Sequence, residues 1–163
     1  MKNNLLLSWL LIQLACVPAC ALDAPDDPFE ETAESEIQGG QLEADFPSVG
    51  LVSNLSKNTI CTGTLISPGF VLTANHCLGS SMMFSVGSDG TNFVPFTVDR
   101  TFSHPTRDLA LLHLATPVRN GHPLPVNTGA VPVAGTNCTA VGFGKHMKPD
   151  GTTTSGTKRS GIS

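Results

Sequence analysis

The side chains of this sequence with chemical potential are five histidines, five cysteines and a few carboxylates. His76 and Cys77 stand side by side at the end of the stretch 61–77, CTGTLISPGFVLTANHC, which opens on Cys61. Two thiolates and an imidazole suggest zinc. Yet an adjacent His-Cys pair with one distant Cys has neither the usual ligand spacing nor a fourth ligand, so no metal is expected. His104, His113, His122 and His146 are scattered, with no His-Glu-x-x-His pattern and no glycine loop to cradle phosphates, and they read as structural or merely exposed. No cofactor is expected. A histidine can act as a general base only where a hydroxyl lies within hydrogen-bond reach, so the neighbours of His76 decide its chemistry.

Those neighbours are set by strands. Residues 60–66 and 70–73 are two short apolar, β-branched runs separated by Ser67-Pro68-Gly69, which has the residues a tight turn needs. The pair reads as a hairpin whose far end carries His76. Residues 82–87 and 93–98 read as further strands, with Ser88-Asp89-Gly90 between them; Pro95 makes the second an edge or bulged strand. His104-Pro105 precedes another apolar run, Asp108-Leu109-Ala110-Leu111-Leu112-His113-Leu114. Residues 115–137 are rich in Pro, Gly and Asn; Pro117, Pro123, Pro125 and Pro132 exclude a helix and leave a long surface connection. Sixteen Gly, twelve Pro and short apolar runs together argue for an all-β chain.

Three motifs resemble the trypsin and chymotrypsin serine endopeptidases. The stretch 61–77 is similar to that family's Cys-Gly-Gly-Thr-Leu-Ile-Ser, turn, Val-Leu-Thr-Ala-Ala-His-Cys, and 104–114 to its His-Pro, loop, Asp-Ile-Ala-Leu-Leu-Lys-Leu. Cys138-Thr139-Ala140-Val141-Gly142-Phe143-Gly144 resembles its Cys-x-x-x-Gly-Trp-Gly, with Phe143 in place of Trp. The resemblance implies that His76 is the general base, that Asp108 accepts the imidazole proton and fixes its tautomer, and that Cys61 and Cys77 form a disulfide. It also implies the fold: a trypsin-like six-stranded antiparallel Greek-key barrel, from about Ile37 to Val126, the first of the family's two. Cys138 would pair far downstream in that family. Here no such cysteine follows, so Cys138 is left unpaired, Cys16 and Cys20 belonging to the leader.

The leader is residues 1–21. Lys2, an apolar run and then Ala19-Cys20-Ala21 give the order of a secretory signal peptide, too short for a convincing membrane span. Val17-Pro18-Ala19-Cys20 weakly resembles a lipoprotein signal, so a membrane association would rest on lipidation at Cys20. Either route leads out of the cytoplasm, to a secreted or cell-envelope protein. Residues 22–36 hold seven acids and no base, which reads as an acidic pro-segment or linker; residues 37–163 hold six acids against eight bases. Nothing gathers basic residues into a nucleic-acid footprint. Ile37-Gln38-Gly39-Gly40 resembles the Ile-Val-Gly-Gly that begins mature enzymes of the family, making Ile37 the expected mature N-terminus. Glu36 before it replaces the usual Arg or Lys, so a trypsin-like self-cleavage is not expected.

The peptidase domain is therefore expected over 37–144, truncated, with 145–163 as a polar flexible tail and the second barrel essentially missing. No Gly-Asp-Ser-Gly-Gly segment occurs in the tail; Ser155-Gly156 and Ser160-Gly161 lack the flanking Asp and Gly. By family the function is a secreted serine endopeptidase acting on proteins or peptides once a second barrel completes it. The chain alone is expected to be inactive, for want of a nucleophile and of donors for the oxyanion. The alternative is a non-catalytic, protease-like binding module. A lone barrel would expose a face of about 600–1,500 Å², inviting a protein partner. Asn54-Leu55-Ser56 and Asn137-Cys138-Thr139 fit the glycosylation acceptor pattern.

Overall fold

The computed structural model describes residues 40–89 and 91–162. The leader with Cys16 and Cys20, the acidic segment and Ile37 lie outside the described residues. Eleven strands follow in order: β1 (Gln41–Leu42), β2 (Val49–Asn54), β3 (Thr59–Ser67), β4 (Phe70–Thr73), β5 (Met82–Val86), β6 (Val94–Ser103), β7 (Ala110–Leu114), β8 (Thr139–Gly142), β9 (His146–Met147), β10 (Thr153–Thr154) and β11 (Arg159–Ile162). A short 3-10 turn, Asn75–Cys77, lies between β4 and β5. Among the described residues no helix is long and apolar enough to cross a membrane.

Six strands close an antiparallel barrel in the order β2-β3-β4-β7-β6-β5. Period-two alternation drives the closure. In β7, Ala110, Leu112 and Leu114 are buried while Leu111 and His113 are half-buried, and in β4 Val71 and Thr73 point inward. Val71, Leu112 and Leu114 meet Val52, Leu65, Met82, Phe84 and Val118 in one core, which Cys61, Leu78, Phe96 and Val98 border. Phe84 is fully buried, and its ring packs so closely on β2 that a Cβ at Gly50 would sit 2.5 Å from it. Only glycine fits there.

Pro95 behaves as its chemistry requires. It pairs with Ser85 of β5, but β7 runs beside β6 only from Val98 onward, so β6 is locally an edge where the N–H is missing. The bulge in β6 falls between Val98 and Arg100 instead. The connection 115–138 is free of strand and mostly exposed.

The last described residues depart from the sequence expectation of a loose tail beyond Gly144. β9 and β10 pair as a small hairpin, and β11 lies between β1 and β8 in a three-stranded antiparallel sheet. Phe143 packs with Val49 and Leu51 on the outer face of β2, and Phe46, Phe93 and Val141 close that second cluster. Beside it Lys158 is only 1% exposed. Its ammonium donates to the carbonyls of Asp45 and Phe46, at 3.2 and 3.0 Å, and lies over the Phe143 ring. Burial pushes this ammonium down from its ordinary value, against the pull of the Glu43 and Asp45 carboxylates. The segment looked flexible because its anchors are backbone ladders and one buried cation, neither of which leaves an apolar pattern. No second closed barrel forms among the described residues.

Two outcomes test this packing. Phe84→Ala is expected to cost about 3–5 kcal/mol in urea unfolding, and a loss under ~1 kcal/mol would contradict the tight packing of the ring. Lys158→Ala is expected to speed amide exchange in β11 selectively, the barrel strands keeping their protection.

Candidate active site

Two strand ends create the site. Thr73 closes β4 and Ala110 opens β7, and the two face each other in the ladder. Three residues beyond Thr73 comes His76; two before Ala110 comes Asp108. Positions 32 apart in sequence thus meet at one rim of the barrel. Thr73 is itself pinned, its hydroxyl donating to the Thr62 carbonyl at 2.9 Å. Ala74 is extended, and the 3-10 turn then swings His76 over the rim.

Asp108 grips His76 twice. One carboxylate oxygen accepts the His76 backbone N–H at 2.8 Å and the other lies 2.6 Å from the ring Nδ1. Its hydrogen bonds to that side chain, then to that backbone, hold the Asp108 carboxyl below its usual range. It is therefore an ionised acceptor near neutrality, and an acceptor-only group dictates the tautomer: Nδ1 carries the proton, leaving the lone pair on Nε2. Among the described residues Nε2 has no hydrogen-bond partner, and the side chain is 70% exposed. Such a ring is oriented by one nitrogen and free to take a proton at the other.

The disulfide implied by the resemblance is present, joining Cys61 of β3 to Cys77 at the end of the turn. The donor atoms of Cys61, His76 and Cys77 lie within 4.8 Å of one another. With both sulfurs joined, however, neither is a thiolate, and the trio does not suit zinc. Cys138 is free and exposed, its thiol turned toward the Thr136 carbonyl. Of the two glycosylation tripeptides, Asn137 is exposed, whereas Asn54 is buried with its amide fully engaged.

A second acid–imidazole pair went unnoticed in the sequence. Asp99 and His113, on β6 and β7, approach to 2.5 Å. The Arg100 guanidinium lies 3.2 Å from both nitrogens of the His113 ring. Phe70 also packs edge-on against it. No motif could have revealed this pair, since the bulge in β6 is what brings Asp99 round.

A closed six-stranded barrel with an ionised aspartate orienting a rim histidine, and a disulfide behind that histidine, defines the trypsin-like class of serine proteases. The sequence profile of the family described as Trypsin matches residues 37–161. The chain belongs to the trypsin family. It is 34% identical over 136 residues to snake venom serine protease nikobin of Vipera nikolskii, covering 74% of this chain and 52% of that protein. It is also 34% identical over 109 residues to inactive snake venom serine proteinase 13 of Crotalus adamanteus, covering 58% and 42%. The chain spans about half the length of these curated relatives. Among solved structures, neuropsin, a serine protease of mouse brain, superposes with a TM-score of 0.66 at 19% identity, over 77% of this chain and 63% of that one. GrC superposes with a TM-score of 0.67 at 26% identity, over 77% and 64%. The family match runs past Gly144, in keeping with the strands found where a tail was expected.

The depressed carboxyl sets a pH window. Asp108 contributes fully above the ordinary aspartate value of about 3.9, and its contribution is lost as pH falls through the lower folded value. The His76 amide proton, followed by NMR, is expected to titrate with a midpoint below ~3.9 and to lose that titration in Asp108→Asn. A midpoint at or above the ordinary value would contradict the double grip.

Proposed function

We propose that this chain is the base-bearing part of a secreted serine endopeptidase, with His76 as general base and Asp108 as its orienting acid. The observation that carries the reading is the double grip of Asp108 on His76, which leaves Nε2 exposed and without a partner. In this mechanism Nε2 takes the proton of an attacking serine hydroxyl and returns it to the leaving amine, while Asp108 stays ionised and stabilises the imidazolium. The substrate is a protein or peptide. The 163 residues hold no Gly-Asp-Ser-Gly-Gly segment, and in this reading the nucleophile and the oxyanion donors are supplied by other polypeptide. Secretion is supported by the signal-like leader, by the venom relatives and by the disulfide, which persists in oxidising compartments. Maturation at Ile37 fits the same reading, by a protease that accepts Glu36.

A second reading has one observation in its favour: a relative at 34% identity is itself described as inactive. On that reading the barrel is a protease-like module that binds a protein partner without cutting it.

The purified 163-residue chain is expected to cleave neither casein nor chromogenic peptides. The native secreted protein containing it is expected to cleave them and to lose turnover by several orders of magnitude on His76→Ala. Turnover by the 163 residues alone would refute the assignment of the nucleophile elsewhere. A native protein that folds, secretes and never cleaves would favour the binding module.

A further inference from the structure

A buried amide beneath the histidine turn is unaccounted for by the acid–base pair itself. Asn54 is the last residue of β2, and alternation puts it on the same face of the strand as Gly50 and Val52, toward the barrel interior. It is 2% exposed. Its Nδ2 donates to the carbonyls of Cys77 and Leu78, each at 3.1 Å, the two residues that follow His76. Its Oδ1 accepts the Ser56 hydroxyl at 2.7 Å and the Lys57 N–H at 3.1 Å. Ser56 in turn accepts the Ser80 N–H, so both ends of the loop are tied to this one side chain. The space is closed as well: a Cβ on Gly79 would fall 2.3–2.6 Å from the amide.

The turn carrying His76 is thus held at three points. Asp108 takes the His76 N–H, Cys61 takes the Cys77 sulfur, and Asn54 takes the two carbonyls. Asp108 holds His76 itself, and the disulfide holds the Cys77 side chain. Asn54 alone fixes two successive carbonyls, and these hold the C-terminal end of the turn that carries His76.

We propose that Asn54 is a positioning residue for the His76–Asp108 pair, setting the pitch of the 3-10 turn so that the imidazole and the backbone N–H of His76 reach the carboxylate together. The role rests on the reading of that pair as base and orienting acid. Asn54 touches neither substrate nor reacting atoms.

Asn54→Asp separates this role from packing. It keeps the side-chain shape and an oxygen to accept from Ser56 and Lys57, and replaces the donor to the two carbonyls with a carboxylate oxygen that repels them. Asn54→Ala removes all four bonds. In the disulfide-intact 163-residue chain, both variants are expected to speed exchange of the His76 amide by about tenfold, the factor lost with one or two hydrogen bonds. The amides of Leu65 and Leu112 are expected to change less than about twofold, because their strands share no hydrogen bond with the Asn54 side chain. The low-field Nδ1 proton signal of His76 is expected to shift or broaden in both variants. Uniform exchange across barrel and turn, an unaltered Nδ1 signal, or failure of both variants to fold would each overturn the proposal, since Asn54 would then serve the barrel as a whole. The readout needs no turnover. If the native protease kept its activity in His76→Ala, the general-base reading would fail while these measurements still decided whether Asn54 orients the turn.

Discussion

The site depends on one cross-strand register. β4 and β7 are paired so that Thr73 faces Ala110, and that match places the residues just beyond each strand end within reach of each other. Side-chain period in a strand is two, so a slip of one residue would turn Val71 and Leu112 out of the core and carry His76 away from Asp108 in the same movement. The core therefore enforces the site. Packing Val71, Leu112 and Leu114 against Phe84 and Leu65 selects the register, and the register delivers the acid to the base.

The turn after β4 converts that proximity into an orientation. A short 3-10 turn has few hydrogen bonds of its own, and here Cys77 and Leu78 donate back to Ala74 and Asn75 at 3.2 and 3.1 Å. Beyond these, Asp108 takes the His76 N–H and Asn54 the Cys77 carbonyl. An exposed imidazole on a well-held backbone suits proton transfer: one ring nitrogen stays open while the direction of the ring is fixed from behind. The Asp99–His113 pair shows the contrast, for its distance is as short, yet a guanidinium covers its ring and no turn presents it outward.

The outer face of β2 explains why the chain beyond Gly144 is ordered. Val49 and Leu51 point away from the barrel, and left bare they would expose apolar surface beside the first strand. Phe143 covers them, Lys158 reaches over Phe143 to the carbonyls of Asp45 and Phe46, and β11 fills the gap between β1 and β8. Phe46 is held in a left-handed conformation, φ 54°, with its carbonyl accepting from both Val49 and Lys158. Such a backbone is rare outside glycine and persists only where its surroundings hold it.

Local pattern was enough to read the all-β class, the hairpin at 60–73, the strand after Asp108 and the strandless connection from 115. Each depends on near neighbours: β-branched alternation, turn residues and prolines act within a few positions. The resemblance then implied the roles of His76 and Asp108 and the Cys61–Cys77 bond, because its motifs are contiguous and specific. Tertiary structure decided what contiguous motifs cannot hold. The carbonyls that Asn54 binds are backbone atoms more than twenty positions away and leave no trace in residue type, so Asn54 looked like nothing more than a glycosylation tripeptide. Lys158 lay in the segment expected to be a polar flexible tail, since only folding supplies the two carbonyls that make its burial tolerable. Sequence alone determined the all-β class and several strands of the barrel, but not β9, β10 and β11. How those strands close, and therefore which distant polar atoms meet, was fixed only by the packing of the whole barrel.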